Sequence, residues 1–156
     1  MIDDLQQLNR LIARHWVGCL NAEQEAYLCH TGVCIARLAH STAELTLLLD
    51  FLKQEDRSAL QVGELNRRYL LFVREACIEA NAERPDLLIR LGITLEQASW
   101  LKKLSNDDID RLAFGCGAPM VRFAAQAFQR GVSLHAYVGK QHAAALVSAG
   151  PPANRV

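Results

Sequence analysis

Residues 60–83 read LQVGELNRRYLLFVREACIEANAE, and this segment has the clearest helical pattern in the chain. A stripe of apolar side chains recurs every three or four residues, at Leu65, Tyr69, Phe72, Val73, Ala76 and Ala80. Further apolar surface outside that stripe comes from Leu70, Leu71, Cys77 and Ile78. A helix that is apolar around so much of its circumference is usually buried on more than one side. We therefore expect a central helix here, with a partner subunit or the chain's own helices as its second cover.

The rest of the 156-residue chain also reads as helix, since Gly and Pro are few and no Asn-Gly or Asp-Gly hairpin signal occurs between alternating apolar residues. Capping boxes are predicted at Asn21, Thr94 and Ser105, and a C-terminal cap at Gly92. The predicted helices span residues 3–20, 22–53 with a candidate kink at Thr31-Gly32, 60–83, 85–91, 94–103, 106–114, 119–130 and 133–147, with a polar connection at 53–57. The fold class is therefore all-α, a multi-helix bundle.

The amino-acid composition of the chain limits the classes of protein to which it can belong. Hydrophobic residues make up 51% and charged residues 22%, which is typical of a globular domain and not of a disordered one. No run approaches the roughly 20 apolar residues that cross a bilayer, and the first residues are acidic where a signal peptide is basic. We therefore expect a cytoplasmic protein with no membrane contact.

Charge is distributed unevenly along the chain. Residues 1–59 carry a net charge of −3 and residues 60–156 a net charge of +3. The last 46 residues contain no Asp or Glu. Because an acid-free basic segment suits a polyanion, we predict DNA contacts at Arg122, Arg130 and Lys140, with Arg111 next.

Five cysteines and five histidines raise a question of metal or thiol chemistry. His15 with Cys19 and His30 with Cys34 have the i, i+4 spacing that puts two ligands on one helical face. No C-x-x-C pair occurs, and buried thiols beside packing histidines give the same pattern. We expect no metal, no cofactor and no enzymatic activity. The alternative at these residues is a small metal- or thiol-dependent enzyme.

Two segments carry a family resemblance. Residues 65–74, LNRRYLLFVR, and 90–113, RLGITLEQASWLKKLSNDDIDRLA, resemble the FlhD family of bacterial transcriptional activators. The segment Met120–Phe123 is similar to the family's short Arg-Phe segment. The matching positions are Asn66, Tyr69, Leu70, Leu71, Arg90, Leu91, Gly92, Ile93, Ala98, Leu101, Leu104, Ser105, Ile109, Leu112 and Ala113.

The resemblance implies an all-α homodimer that acts with an FlhC-like partner on double-stranded DNA, in flagellar or mobile-element gene control. Residues 1–59 have no counterpart and are expected to be an N-terminal helical extension for dimerisation or partner binding. Residues 60–148 would form the FlhD-like domain, and 149–156 a frayed tail. The family's cysteine near the Arg-Phe segment, associated with an intersubunit disulfide, aligns with Met120, so we do not expect that disulfide.

We therefore predict a dimeric, non-enzymatic transcriptional regulator, an intertwined homodimer whose interface comprises Leu45, Leu52, Leu65, Tyr69, Phe72 and Val73. The alternative is a helical adaptor or antagonist that binds a regulator and never touches DNA.

Overall fold

The computed structural model describes residues 2–52, 60–79 and 84–149. Eight helices cover about 75% of these residues, so the predicted all-α class is confirmed. The elements in chain order are α1 (Ile2–Val17), α2 (Ala22–His30), β1 (Ala36–Leu38), α3 (Thr42–Phe51), α4 (Leu60–Glu79), α5 (Pro85–Leu91), α6 (Leu95–Leu101), α7 (Asn106–Gly115), β2 (Val121–Phe123) and α8 (Ala125–Ala149). The predicted connection at 53–57, the helix end at 80–83 and the tail from 150 to 156 lie outside the described residues.

Helix α4 is the centre of the core. It packs against α7, α1 and α6. Leu65, Tyr69 and Val73 are at most 1% exposed within a single chain, and so is Leu45 of α3. Each such side chain contributes about 1.5–3 kcal/mol relative to an exposed one. The chain's own helices therefore supply the second cover of the predicted central helix.

The predicted dimer interface needs correction for this reason. Leu45, Leu65, Tyr69 and Val73 are enclosed in the core of one chain and present no surface to a second copy. Leu52 and Phe72 are partly buried and pack against the same core. A dimer of this fold cannot use the four enclosed residues.

The helix caps predicted from the sequence are confirmed. Capping boxes form at Asn21 with Gln24, at Thr94 with Gln97 and at Ser105 with Asp108. Gly92 ends α5 with a φ of +68°, a conformation that L side chains rarely adopt.

Three predicted helices are wrong in their extent. The helix expected over 22–53 is interrupted after His30, where the chain forms β1 before α3 begins. The two helices expected over 119–130 and 133–147 are replaced by β2 and one continuous helix, α8. Gly131 lies within α8 and does not end a helix, and the Tyr27 ring packs where a Cβ at this position would lie.

The predicted boundary at residue 59 does not separate two cores. The β1 strand pairs with β2, α1 packs on α4, and α2 packs on α8. Buried residues from Leu8 to Phe128 form one cluster. The N-terminal segment is therefore an integral part of the fold.

Two buried asparagines fix where the strands run. Asn9 of α1 donates to Val33 O at 2.9 Å and accepts from Ile35 N at 3.0 Å. Asn66 of α4 donates to Ala113 O and Ala118 O at 3.1 and 3.0 Å. It also accepts from Met120 N at 2.7 Å. Both amides are 0% exposed. They supply the hydrogen bonds that water would otherwise make with backbone groups that have no partner in a helix or strand.

The Asn66 side chain is expected to contribute strongly to stability. Asn66→Ala leaves one buried N–H and two carbonyls without their partner, so it should lower the free energy of unfolding by about 3 kcal/mol. Asn21→Ala, which removes an exposed helix cap, is the control and should cost about 1 kcal/mol. Urea unfolding measures both, and equal losses would contradict the role assigned to Asn66.

Candidate nucleic-acid interface

The two strands form an antiparallel ribbon with one charged face. Its register pairs Arg37 with Arg122, and the flanking pairs are Ala36 with Phe123 and Leu38 with Val121. Two more backbone bonds extend the ribbon, from Ala124 N to Ile35 O at 3.0 Å and from Ala39 N to Met120 O at 2.8 Å. Side chains alternate in a strand, so the flanking residues turn inward and both arginines turn outward.

The positive charges of Arg37 and Arg122 repel each other across the ribbon. Cβ atoms of directly opposite residues lie about 5 Å apart, and like charges at that separation destabilise a sheet. Within residues 2–52, 60–79 and 84–149, neither the Arg37 nor the Arg122 side chain has a carboxylate within 4 Å or a hydrogen-bond acceptor. An anion between them would remove the repulsion, and guanidinium groups bind phosphate oxygens in a bidentate fashion.

The inner side of the ribbon is held by aromatic packing. Phe123 stacks on Trp16 of α1 with ring centroids 5.7 Å apart, and it lies 5.4 Å from Phe128 of α8. This packing fixes which face of the ribbon points to solvent.

The end of α5 supports β1 from its other side. Cys34 N donates to Arg90 O at 2.7 Å, and a Cβ at Gly92 would lie only 2.6 Å from Ala36 O. The close approach of the α5 backbone to β1 therefore requires glycine at position 92.

Helix α8 carries the next basic side chains. Its first half packs on α2, where the Tyr27 ring lies 5.8 Å from Phe128 and the His30 ring 5.1 Å from His135. Residues 137–147 are all exposed. Arg130 and Lys140 are exposed on this helix, which contains no acidic residue.

Arg111 has a structural position. Its guanidinium donates to Leu49 O at 2.8 Å and to Leu52 O at 2.9 Å, and it lies 3.7 Å from Asp108. These carbonyls belong to the C-terminal end of α3, where cations bind well. We therefore remove Arg111 from the candidate DNA-binding residues.

The Cys/His pairs predicted at helical spacing are not formed. Helix α1 ends at Val17, before Cys19, and α2 ends at His30, before Cys34. Burial raises the pKa of the Cys34 thiol to about 11, whereas a nucleophile needs a lowered pKa. Among the described residues, no group of three or more His, Cys, Asp or Glu side chains could hold a metal ion.

Arg37 is not among the DNA-contact residues predicted from the sequence. Its strand has three residues, too short for the alternation of apolar and polar residues to register. The only signal available was an arginine between apolar neighbours, Ala36 and Leu38.

Comparisons with protein-family models, with curated proteins and with solved structures found no match to this chain. A proposal for its function therefore rests on the geometry of the site and on the sequence resemblance.

The arginine pair predicts an unusual response to charge reversal. Arg122→Glu places a carboxylate opposite Arg37, so the free energy of unfolding should rise by about 0.5–1 kcal/mol. Arg130→Glu, the same change on the exposed face of α8, should alter it by less than about 0.5 kcal/mol. Urea unfolding distinguishes the two, and a loss of stability in Arg122→Glu would contradict the like-charge pair.

Proposed function

We propose that this protein is an FlhD-like, non-enzymatic subunit of a transcriptional regulator that contacts the DNA backbone through the ribbon and α8. The observation that carries the proposal is the cross-strand pair of Arg37 and Arg122, outward-facing and without a counter-ion among the described residues. A fold gains nothing from such a pair in isolation, but a phosphate bound between the two side chains would stabilise it.

A two-stranded ribbon also has suitable dimensions. The DNA major groove admits either a helix or a two-stranded ribbon. The outward face here offers two arginines and little else, so its contacts would position the protein on phosphates more than read bases. The FlhC-like partner that the resemblance implies would then supply the sequence selection.

Arg130 and Lys140 extend the basic surface. Both are exposed on an acid-free helix that begins two residues after β2 ends. The whole chain has a net charge of zero, so few phosphate contacts are available and the affinity of the isolated chain for DNA should be low.

The dimer of this proposal forms through α8 instead of the core of α4. The apolar side chains of α8 stand far out of the fold, with Leu134 63%, Val138 56% and Val147 82% exposed. Leu134 and Val138 are four residues apart and share one face of the helix. Exposed apolar patches on a projecting helix are typical of protein–protein contacts.

Among the helices that the structure describes, none is both long enough and apolar enough to cross a membrane. We place the proposed regulator in the cytoplasm, where it would meet DNA and its FlhC-like partner in the control of flagellar or mobile-element genes.

A second candidate function is a helical adaptor that binds a regulator without touching DNA. The exposed apolar side chains of α8 favour it, together with the zero net charge. In this alternative, α8 contacts another protein, and the arginine pair binds a carboxylate of that protein.

DNA binding by the full-length chain should depend on the arginine pair. A 30-base-pair duplex is titrated between about 50 and 200 mM salt, and each lost phosphate contact lowers the slope of log affinity against log salt by about one. Arg37→Ala combined with Arg122→Ala should therefore lower the slope by about two, and Arg130→Ala with Lys140→Ala should lower it similarly.

Lys103→Ala removes an exposed positive charge after α6 and serves as the control, with an unchanged slope expected. If the arginine double variant kept the wild-type slope, the ribbon would not be a DNA contact. If the wild-type chain bound no duplex at low salt, the adaptor function would be favoured.

The proposed dimer is tested by light scattering coupled to size exclusion. The wild-type chain should have twice the chain mass of 17.3 kDa. Val138→Glu should shift it toward the monomer, because a carboxylate would be buried without a partner in the α8 interface. Ile89→Glu, a change at a still more exposed apolar residue of α5, should leave the dimer intact. A monomeric wild-type chain would contradict the dimer.

A further inference from the structure

We propose that the groove between α1 and α4 is a docking site for an amphipathic helix of a partner protein that carries acidic side chains at one end. The groove involves neither the ribbon nor α8, so this inference is independent of DNA contact. It would give residues 1–17, which have no counterpart in the FlhD resemblance, a function of their own.

The groove comprises two depressions that share lining residues. Two adjoining cavities of about 380 and 410 Å³ lie along it, and both are lined by Gln7 and Arg68. The first is also lined by Asp4, Leu8, Leu71, Phe72 and Glu75. The second is also lined by Arg10, Leu11, Arg14 and Glu25.

The floor of the groove is apolar. Leu8 is 4% exposed, and Leu71, Phe72 and Leu11 are partly buried against the core. These three therefore keep some contact with water that a covering side chain would remove. Covering this apolar surface favours binding, because the surface is removed from water.

One end of the groove carries excess positive charge. Arg10 lies 3.2 Å and Arg14 lies 3.7 Å from the carboxylate of Glu25, so one carboxylate serves two guanidinium groups. Arg68 is exposed and has no carboxylate within 4 Å among the described residues. An occupant with acidic side chains would complete the charge balance here.

The other end carries no such excess of charge among the described residues. It is lined by Asp4 and Glu75, but Glu75 is paired with Arg74 at 3.1 Å, and Arg68 lines this end as well. The positive end therefore orients an acidic partner, because complementary charges across an interface fix its register.

The length and shape of the groove point to a helix. The start of α1 faces Phe72 and Glu75 and its end faces Arg68, so α1 and α4 run antiparallel. From Asp4 to Arg14 the groove spans about 15 Å, which matches three helical turns at about 1.5 Å per residue. Apolar anchors on one face of such a helix would lie on the leucine floor.

The test is a selection followed by charge reversal. A display library of 14-residue helices with randomised faces is panned on the full-length protein. The enriched peptides should share apolar anchors at i, i+3 or i+4 and i+7 and an acidic end. A synthetic copy of one enriched peptide is then measured by fluorescence anisotropy.

Arg14→Glu combined with Arg68→Glu should weaken that peptide by about tenfold, because two attractive contacts become repulsive. A second peptide whose acidic residues are changed to Lys should recover the affinity on this variant. Arg130→Glu combined with Lys140→Glu is the matched control and should bind the original peptide as the wild type does. Arg68→Glu alone is used if the double variant unfolds.

Failure to enrich such helices would overturn the proposal. So would enriched peptides that bind the Arg14/Arg68 variant as tightly as the wild type. Peptides whose binding is abolished by Val138→Glu instead would place the docking surface on α8 and would also contradict the groove.

Discussion

The architecture depends on two asparagine amides that are buried between helices and loops. Asn9 and Asn66 project from α1 and α4 and hold the backbone shortly before β1 and β2. Each hydrogen bond supplies a partner for a backbone group that would otherwise be buried and unpaired, a cost of about 1–3 kcal/mol per group. The helical core thus sets the position of the ribbon, although the ribbon itself has only three residues in each strand.

This constraint connects the core to the candidate interface. With the two backbones held in register, Arg37 and Arg122 are forced to face each other on the solvent side. Aromatic packing of Phe123 on Trp16 prevents the ribbon from turning over. The repulsion between the arginines is then balanced by the stability of the core, which leaves the pair available for an anion.

The chain also presents three surfaces of different chemistry. The ribbon is basic, the exposed half of α8 is apolar and acid-free, and the α1–α4 groove has an apolar floor with one positively charged end. A subunit that brings DNA, a second copy and a partner protein together needs surfaces that do not compete. Their separation on different elements is consistent with the proposed role in a multi-component regulator.

The amino-acid sequence alone determined the features that depend on near neighbours. These are the helical class, the capping boxes at Asn21, Thr94 and Ser105, and the left-handed cap at Gly92, because each forms within four residues. Tertiary structure decided what depends on residues far apart in sequence. Only the pairing of β1 with β2 across more than 80 residues brought Arg37 to Arg122, and only the packing around α4 enclosed Tyr69 within one chain. Apolar periodicity indicates that a helix face is buried, but it does not specify the covering element.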